Sequence, residues 1–369
     1  MGNQPSFFGY GVTGTVDFAN SDAALTPAQV TNYRYSALGT ASGPLIQIPY
    51  VVTPITIPLV NAPPVTSTLT PQTTPNQANS IALNDNDLCG IFSGKINDWK
   101  WVINPETGTA YSMDSRPITV VYRQDASGET ELLTRHLAAV CTSSNTAFRV
   151  TFVDSMTFAN TSAFPAGMPL NFVAATNSVG VRNALLGYRN SWSGPAAISY
   201  LGPADTNTFL APSSSVAAQS QLQVASLFNT TNRIYYAPTG ANASVAFGQS
   251  TLPPTGQSAT SPASDPTQWV PVSGTLYAAL ANPSAGYPVS GTSQIILNQC
   301  YADANVTKAV SDFLSMHYNN ASFASIVRGN GFNTVPQLYS NVIITDFLTA
   351  GRGNTLNIGN SKVCNGEGR

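Results

Sequence analysis

A buried strand that runs through a glycine-containing turn into a helix is the feature that most constrains the fold of this chain. Residues 117–122 (Pro-Ile-Thr-Val-Val-Tyr) are mostly apolar and β-branched, which predicts a strand. The helix that follows, from residue 128 to residue 141, has one packed face formed by Leu132, Leu133, His136, Leu137 and Val140. A strand, a turn and a helix make half of a βαβ unit, so we predict an α/β fold with mainly parallel sheets.

The same alternation of strand and helix continues along the chain. The predicted strands and extended pieces lie at residues 15–19, 45–59 and 197–201, and the predicted helices at 87–92, 177–186 and 306–314. Two segments are rich in Pro, Thr, Ser, Asn, Gly or Ala, which predicts insertions: residues 61–80 as a loop or lobe crossover, and residues 238–271 as a surface excursion.

Length and charge limit the classes of function. The chain has 369 residues, which favours two lobes, since single cores stop growing at roughly 250–300 residues. Charged residues make up 9% of the chain, against about 25% in an ordinary soluble domain, and this composition suits an extracellular protein and tolerates self-association. The net charge is −2 with no basic run, which argues against a nucleic-acid partner. No apolar stretch is long enough to span a membrane.

The four cysteines predict two disulfides. Cys89, Cys141, Cys300 and Cys364 are widely spaced, without a Cys-x-x-Cys motif, and the chain has two histidines. That pattern disfavours a zinc site, and we predict no metal. An even number of cysteines indicates disulfides formed in an oxidising compartment. Of the three pairings we choose sequence neighbours, Cys89–Cys141 and Cys300–Cys364; four buried free thiols are the alternative.

The turn at residues 123–128 (Arg-Gln-Asp-Ala-Ser-Gly) has the chemistry of an anion site. A helix N-terminus offers free N–H groups and the positive end of the helix dipole. The strand delivers Arg123, a forked donor, to the sheet edge where α/β proteins bind ligands. Ser127 adds a hydroxyl, Gly128 allows close approach of the backbone, and Asp125 would orient Arg123. The alternative is that Asp125 or Ser127 only caps the helix, with Arg123 in a surface ion pair.

A second turn, at Asn20-Ser21-Asp22, also follows a strand and precedes a helix-start pattern, Leu-Thr-Pro. A carboxylate that faces an anion is favourable when the anion still carries a proton, because Asp22 then accepts that hydrogen bond. Sulfate has no proton to give at neutral pH and would leave a buried acceptor unpaired. The alternative is that Asp22 caps the next helix.

These two turns resemble a known family. Asp22 in Phe-Ala-Asn-Ser-Asp-Ala-Ala-Leu and Arg123 in Val-Val-Tyr-Arg-Gln-Asp-Ala-Ser-Gly resemble the phosphate-binding proteins of ABC importers, and more closely their secreted relatives, the DING proteins. Residues 88–99 (Leu-Cys-Gly-Ile-Phe-Ser-Gly-Lys-Ile-Asn-Asp-Trp), 299–318 and 356–369 share the resemblance, which covers nearly the whole chain apart from the insertions.

The resemblance implies a two-lobed clamp that buries phosphate between its lobes. The first lobe would hold residues 1–62 and 286–369, and the second lobe residues 63–285. Asp22 would accept the phosphate proton, Arg123 would donate to its oxygens, and Asp125 would position Arg123. The implied phosphate-binding set is Ser21, Asp22, Arg123, Asp125, Ser127 and Gly128. The family also supports the chosen cysteine pairing.

The function implied is that of an extracellular or periplasmic solute-binding protein for inorganic phosphate. It needs no cofactor, and its partners would be an ABC importer component or copies of itself. We expect no enzymatic activity; a phosphatase is a weak alternative, because the sequence suggests no paired-metal cluster.

The sequence departs from the family at two places. Glu129 stands where many members carry Thr, and a carboxylate beside a bound anion would repel it. The Gly-rich opening strand of the family has no counterpart before Thr15, so we expect it to be missing, to lie before an internal Met start, or to come from another molecule. These departures support an alternative function: a structural or adhesive extracellular subunit, self-assembling by strand donation, with a partial phosphate site.

Overall fold

The structure is a computed structural model that describes residues 16–191 and 194–369. Its strands are β1 Phe18–Ser21, β2 Leu45–Pro54, β3 Pro58–Val60, β4 Ala82–Leu83, β5 Ile118–Arg123, β6 Phe172–Ala175, β7 Ala196–Ile198, β8 Gln223–Val224, β9 Ser226–Asn229, β10 Ile234–Tyr236, β11 Ser290–Asn298 and β12 Asn333–Thr334. Its α-helices are α1 Pro27–Arg34, α2 Ala37–Ser42, α3 Asp85–Ser93, α4 Gly128–Val140, α5 Asn177–Arg189, α6 Ser215–Ser220, α7 Gly240–Ser250, α8 Pro266–Trp269, α9 Gly274–Ala281, α10 Ala304–Asn319, α11 Ala321–Gly329, α12 Gln337–Ile343 and α13 Ser361–Cys364. Short 3₁₀ turns lie at Trp99–Trp101, Pro203–Asp205 and Pro262–Ser264, and a π-helical turn at Ile344–Leu348.

The sheets are mixed, and this corrects one part of the fold prediction. A five-stranded sheet has the order β6-β5-β7-β3-β8, in which β5 runs parallel to β6 and β7 while β3 is antiparallel to β7 and β8. A four-stranded sheet, β1-β11-β2-β12, is antiparallel throughout. The α/β class is confirmed, but the prediction of mainly parallel sheets was wrong.

The antiparallel sheet has a simple physical cause, because β2 and β11 each connect two hydrophobic cores. We define the terminal core as the buried cluster that includes Ile48, Val52, Leu297, Leu314, Tyr339 and Phe347. We define the middle core as the buried cluster that includes Ile57, Leu88, Phe92, Val120, Leu133 and Val289. The chain leaves the terminal core along β2 and returns to it along β11, so the two strands pair in opposite directions.

The two cores give a physical basis for two lobes, and the residue boundaries given above stay a prediction. Residues 238–271, which composition predicts as a surface excursion, include α7 and α8, and Phe247 and Trp269 are buried in the terminal core. The predicted opening of the first lobe, up to Thr15, lies outside the described residues.

The predicted disulfide pairing is confirmed. Cys89–Cys141 joins α3 to the residue that follows α4, and Cys300–Cys364 joins the segment just after β11 to α13. The Cα atoms are 5.5 and 5.4 Å apart, within the usual range for a disulfide. Among the helices that the structure describes, none is long and apolar enough to cross a membrane.

His136 on α4 connects three elements through buried hydrogen bonds. Its Nδ1 lies 2.9 Å from the carbonyl oxygen of Ala281, at the end of α9. Its Nε2 lies 3.1 Å from Oδ1 of Asp85, at the start of α3. A carbonyl and a carboxylate both accept hydrogen bonds, so each ring nitrogen of His136 faces an acceptor.

We expect His136→Gln to lower the free energy of unfolding by about 1–3 kcal/mol, because it leaves a buried acceptor unpaired. Urea denaturation followed by circular dichroism measures the change. In the double variant Asp85→Asn/His136→Gln the loss should be smaller than the sum of the two single losses. A His136→Gln value within about 0.5 kcal/mol of wild type would show that these hydrogen bonds do not hold the three elements together.

Candidate anion site

Two helices begin side by side at the carboxyl edge of the five-stranded sheet. Strand β5 ends at Arg123, which is paired in parallel register with Ala175 at the end of β6. Helix α4 begins at Gly128 and helix α5 at Asn177, each a few residues after its strand. The N–H groups of two helix starts therefore lie at the sheet edge that α/β proteins use for ligands.

Arg123 is buried and is fixed mainly by Asp125. Its Nε donates to Oδ1 of Asp125 at 3.0 Å, and its Nη2 donates to Oδ2 of the same carboxylate. The hydrogen bond from Arg123 is the largest cause that lowers the pKa of Asp125 to about 2, with burial acting in the opposite direction. Asp125 also accepts the N–H of Asn177 at 2.7 Å, which ties the turn to the start of α5. This geometry suits Asp125 to holding the guanidinium in a fixed orientation.

Ser127 is the N-cap of α4 and keeps a hydrogen to donate. Its Oγ accepts the N–H of Glu129 at 3.1 Å, and this bond uses an oxygen lone pair and not the hydroxyl hydrogen. The two interpretations of the turn, a helix cap and an anion cradle, are therefore compatible in Ser127. Asp125 does not cap the helix.

The turn after β1 is packed against the turn before α4. A Cβ built on Gly128 would lie 2.0 Å from Cβ of Asp22 and 2.8 Å from its Oδ2, so only glycine fits. Asp22 does not cap α1, because that position belongs to Thr26. The structure thus brings together two turns that are more than 100 residues apart in the sequence.

Ser21 lies beside Asp22, with its hydroxyl donating to the carbonyl oxygen of Ala23 at 2.7 Å. Its hydroxyl hydrogen is therefore used within its own loop. A cavity of about 340 Å³ opens between the two turns. It is lined by Ser21, Asp22, Ala23, Arg123, Ala126, Ser127, Gly128, Glu129, Met156 and Ser178. Five of the six residues of the predicted binding set line this cavity. The sixth, Asp125, accepts a hydrogen bond from Arg123, which is one of the lining residues.

The sequence prediction missed two contacts of Arg123, one with Glu129 and one with Ser178. Oε2 of Glu129 lies 2.9 Å from Nη1 of Arg123, and Oε1 accepts the N–H of Gly202 at 2.8 Å. Ser178 accepts from Nη1 of Arg123 at 2.9 Å and donates to Oε2 of Glu129 at 3.1 Å. Burial raises the pKa of the Glu129 carboxyl, against the opposing effects of the Gly202 N–H and Arg123.

A sequence signal for Ser178 was present, because it lies in the first turn of a predicted helix, at the second residue of α5. Glu129 was expected to repel an anion, but its carboxylate binds the arginine that an anion would need. Among the described residues no group of three His, Cys, Asp or Glu side chains is arranged to hold a metal ion.

The fold and this site define a protein of the PBP superfamily. The family model for the PBP superfamily domain matches residues 10–315 of the chain. Alkaline phosphatase L of Pseudomonas aeruginosa strain UCBPP-PA14 is 36% identical over 367 residues, which cover 96% of this chain and 80% of that protein. A phosphate-binding protein from an unknown prokaryotic organism is 35% identical over 100% of this chain and 89% of its own length.

The crystal structure of a high-affinity periplasmic phosphate-binding protein, PfluDING, bound with phosphate at pH 8.5, is 33% identical with a TM-score of 0.74. The match covers 100% of this chain and 88% of that one. The chain therefore belongs to the DING and phosphate-binding proteins of the PBP superfamily.

Proposed function

We propose that this protein is an extracellular or periplasmic solute-binding protein for inorganic phosphate, which it holds between the Asp22 turn and the Arg123 turn. The observation that carries the proposal is the packing of Asp22 against Gly128, because it places an acceptor opposite the donors of Arg123 and Ser127 across one cavity. A high-affinity phosphate complex of the similar protein PfluDING supports the same assignment.

Each side chain has a role that follows from its chemistry. Asp22 accepts the hydrogen bond of a protonated phosphate oxygen, whereas Arg123 and Ser127 donate to the other oxygens. The N–H of Gly128, the first residue of α4, has no intrahelical acceptor and adds a backbone donor. Asp125 positions Arg123. Asp22 is exposed to solvent, so the discrimination against sulfate comes from the anion itself: sulfate has no proton to give to this carboxylate, and the two negative groups would face each other without a hydrogen bond.

Calorimetry on the ligand-free protein tests the proposal. We expect one phosphate to bind with measurable heat at micromolar protein, and sulfate to bind at least about 100-fold more weakly. Asp22→Ala should reduce this discrimination between the two anions. An absence of phosphate heat at micromolar protein would overturn the proposal, and equal affinities for sulfate and phosphate would overturn the role of Asp22.

The two disulfides support a location in an oxidising compartment. In such a compartment the natural partners are the membrane component of an ABC importer or, with this low charge, further copies of the chain.

Hydrolysis of phosphate esters is a second candidate, favoured by one observation: curated relatives at 33–36% identity are named alkaline phosphatase L. The test is turnover of an aryl phosphate by the purified protein and by its Asp22→Ala variant. Turnover that is lost in the variant would support the enzyme, and turnover that is equal in both would exclude this site as its source.

A further inference from the structure

The carboxylate of Glu129 occupies donors that the proposed anion would use. A guanidinium carries five N–H groups. Four of those of Arg123 already point at Asp125, Glu129 and Ser178, which leaves one, on Nη2, without a partner among the described residues. Oε2 of Glu129 accepts hydrogen bonds from both Arg123 and Ser178, as an oxygen of a bound anion would.

The positive charge of Arg123 is also compensated before any ligand enters the site. The single positive charge of Arg123 faces two carboxylates, Asp125 and Glu129, and Asp22 lies across the cavity. A further anion would therefore enter a site with excess negative charge, beside a largely buried Arg123–Glu129 pair where repulsion is poorly screened. Some negative charge has to be removed when the anion binds.

We infer that Glu129 takes up a proton when phosphate binds, so that phosphate displaces the carboxylate from Arg123 and Ser178 and then accepts a hydrogen bond from the Glu129 carboxyl. This inference rests on the proposed phosphate function. The proton comes from solvent and is added to Oε2. Oε1 keeps its hydrogen bond from Gly202, which anchors the carboxyl group beside the cradle.

The position of Glu129 agrees with this exchange. Without ligand, three donors favour the charged carboxylate: Arg123, Ser178 and the Gly202 N–H. Once an anion has taken two of them, the buried carboxylate is left with one donor, next to a like charge. Both changes favour the protonated form, in the same direction as the burial that already raises the pKa of this carboxyl.

Other titratable groups face Glu129 from the neighbouring elements. Arg123 on β5 favours its charged form, and Asp205, in the turn at Pro203–Asp205, disfavours it. Asp205 is itself paired with Arg182 of α5 at 3.5 Å. The buried hydroxyl of Tyr200 lies close to Glu129 and Arg123. On α4, burial raises the pKa of Glu131 to about 7, so this second carboxyl also titrates near the cavity.

The test compares phosphate binding by wild type, Glu129→Gln and Glu129→Thr between about pH 5 and 9. Gln keeps the shape and the acceptor for Gly202 without a titratable group, and Thr removes the carboxylate and leaves a hydroxyl that can donate to the anion. Both variants retain Glu131, Asp22 and the titration of phosphate itself, so the difference from wild type isolates Glu129. Calorimetry in buffers of different ionisation enthalpy gives the number of protons taken up.

At a pH above the pKa of Glu129 in the ligand-free protein, we expect wild type to take up more protons per bound phosphate than either variant does. The difference should approach one proton. The affinity of wild type should then fall with rising pH by up to about tenfold per unit more than that of the variants. Glu129→Thr should bind at least about tenfold more tightly than wild type at pH 8. Equal proton uptake and equal pH slopes in all three proteins would overturn the inference and leave the phosphate function intact. If none of the three binds phosphate at any pH, the proposed function fails, and the inference fails with it.

Discussion

Arg123→Met is expected to abolish phosphate binding and to lower the free energy of unfolding by about 3–5 kcal/mol at pH 8, the largest combined effect of any substitution at the site. Arg123 is the cation shared by Asp125 and Glu129. Its removal leaves two carboxylates without their main donor, and that of Glu129 is largely buried. Breaking a buried ion pair by deleting one partner is costly for this reason.

Calorimetry and urea denaturation measure the two effects. In the double variant Arg123→Met/Glu129→Gln part of the stability should return, because one of the stranded charges is gone, whereas phosphate binding should stay lost. Arg116→Met is the matched control: this arginine is exposed, donates to the carbonyl oxygens of Asn61 and Ala62, and should cost no more than about 1 kcal/mol. Micromolar phosphate binding by Arg123→Met would contradict the role we assign to the guanidinium.

Gly128→Ala is expected to weaken phosphate binding at least about 100-fold and to lower the free energy of unfolding by about 1–3 kcal/mol, because the two turns are packed against each other at this residue. The added methyl group would lie 2.0 Å from Cβ of Asp22, a distance that no relaxation of side chains alone can relieve. The Asp22 turn must therefore move away from the Arg123 turn. Ala is a good helix residue at the start of α4, so the helix itself should persist.

The control for this substitution is Gly187→Ala in α5. A Cβ there meets no atom within 4 Å, and the position is exposed. Alanine should leave phosphate affinity unchanged and raise the free energy of unfolding by up to about 1 kcal/mol, because it lowers the entropy of the unfolded chain. Unchanged phosphate affinity in Gly128→Ala would show that the two turns need not approach each other to bind the anion.

Local patterns in the sequence were sufficient to predict the strand and the helix that carry the site. The apolar run before Arg123 became β5, and the helical face beginning near Gly128 became α4. Both predictions depend on neighbours in sequence, which hydrophobic periodicity reports directly. The short helix predicted at residues 87–92 appeared as α3, ending against the left-handed Gly94 as expected for a helix stop.

The parts that the sequence did not predict are those that depend on distant segments. The antiparallel pairing of β2 with β11 joins residues about 240 positions apart, and strand patterns carry no information about such partners. Composition likewise failed for residues 238–271, because two aromatic side chains, Phe247 and Trp269, anchor a Ser- and Pro-rich segment in the terminal core.

The candidate site shows the same limit. Asp22 and Arg123 could be selected because each follows a predicted strand, and the family resemblance brought them together. The inward direction of Glu129 depends on the Gly202 N–H and on Ser178, which belong to other elements. A residue that departs from the family at a known position can be identified from sequence, but the partner of its side chain cannot.

A crystal structure of the protein grown with phosphate tests the central claim most directly. Our account predicts one phosphate between the two turns, with an oxygen within about 3.2 Å of an Asp22 carboxylate oxygen and others at that distance from Arg123 and from Oγ of Ser127. It also predicts that Oε2 of Glu129 contacts the phosphate and no longer Nη1 of Arg123. A cavity without phosphate at saturating concentration, or phosphate bound elsewhere with the Arg123–Glu129 contact intact, would contradict it.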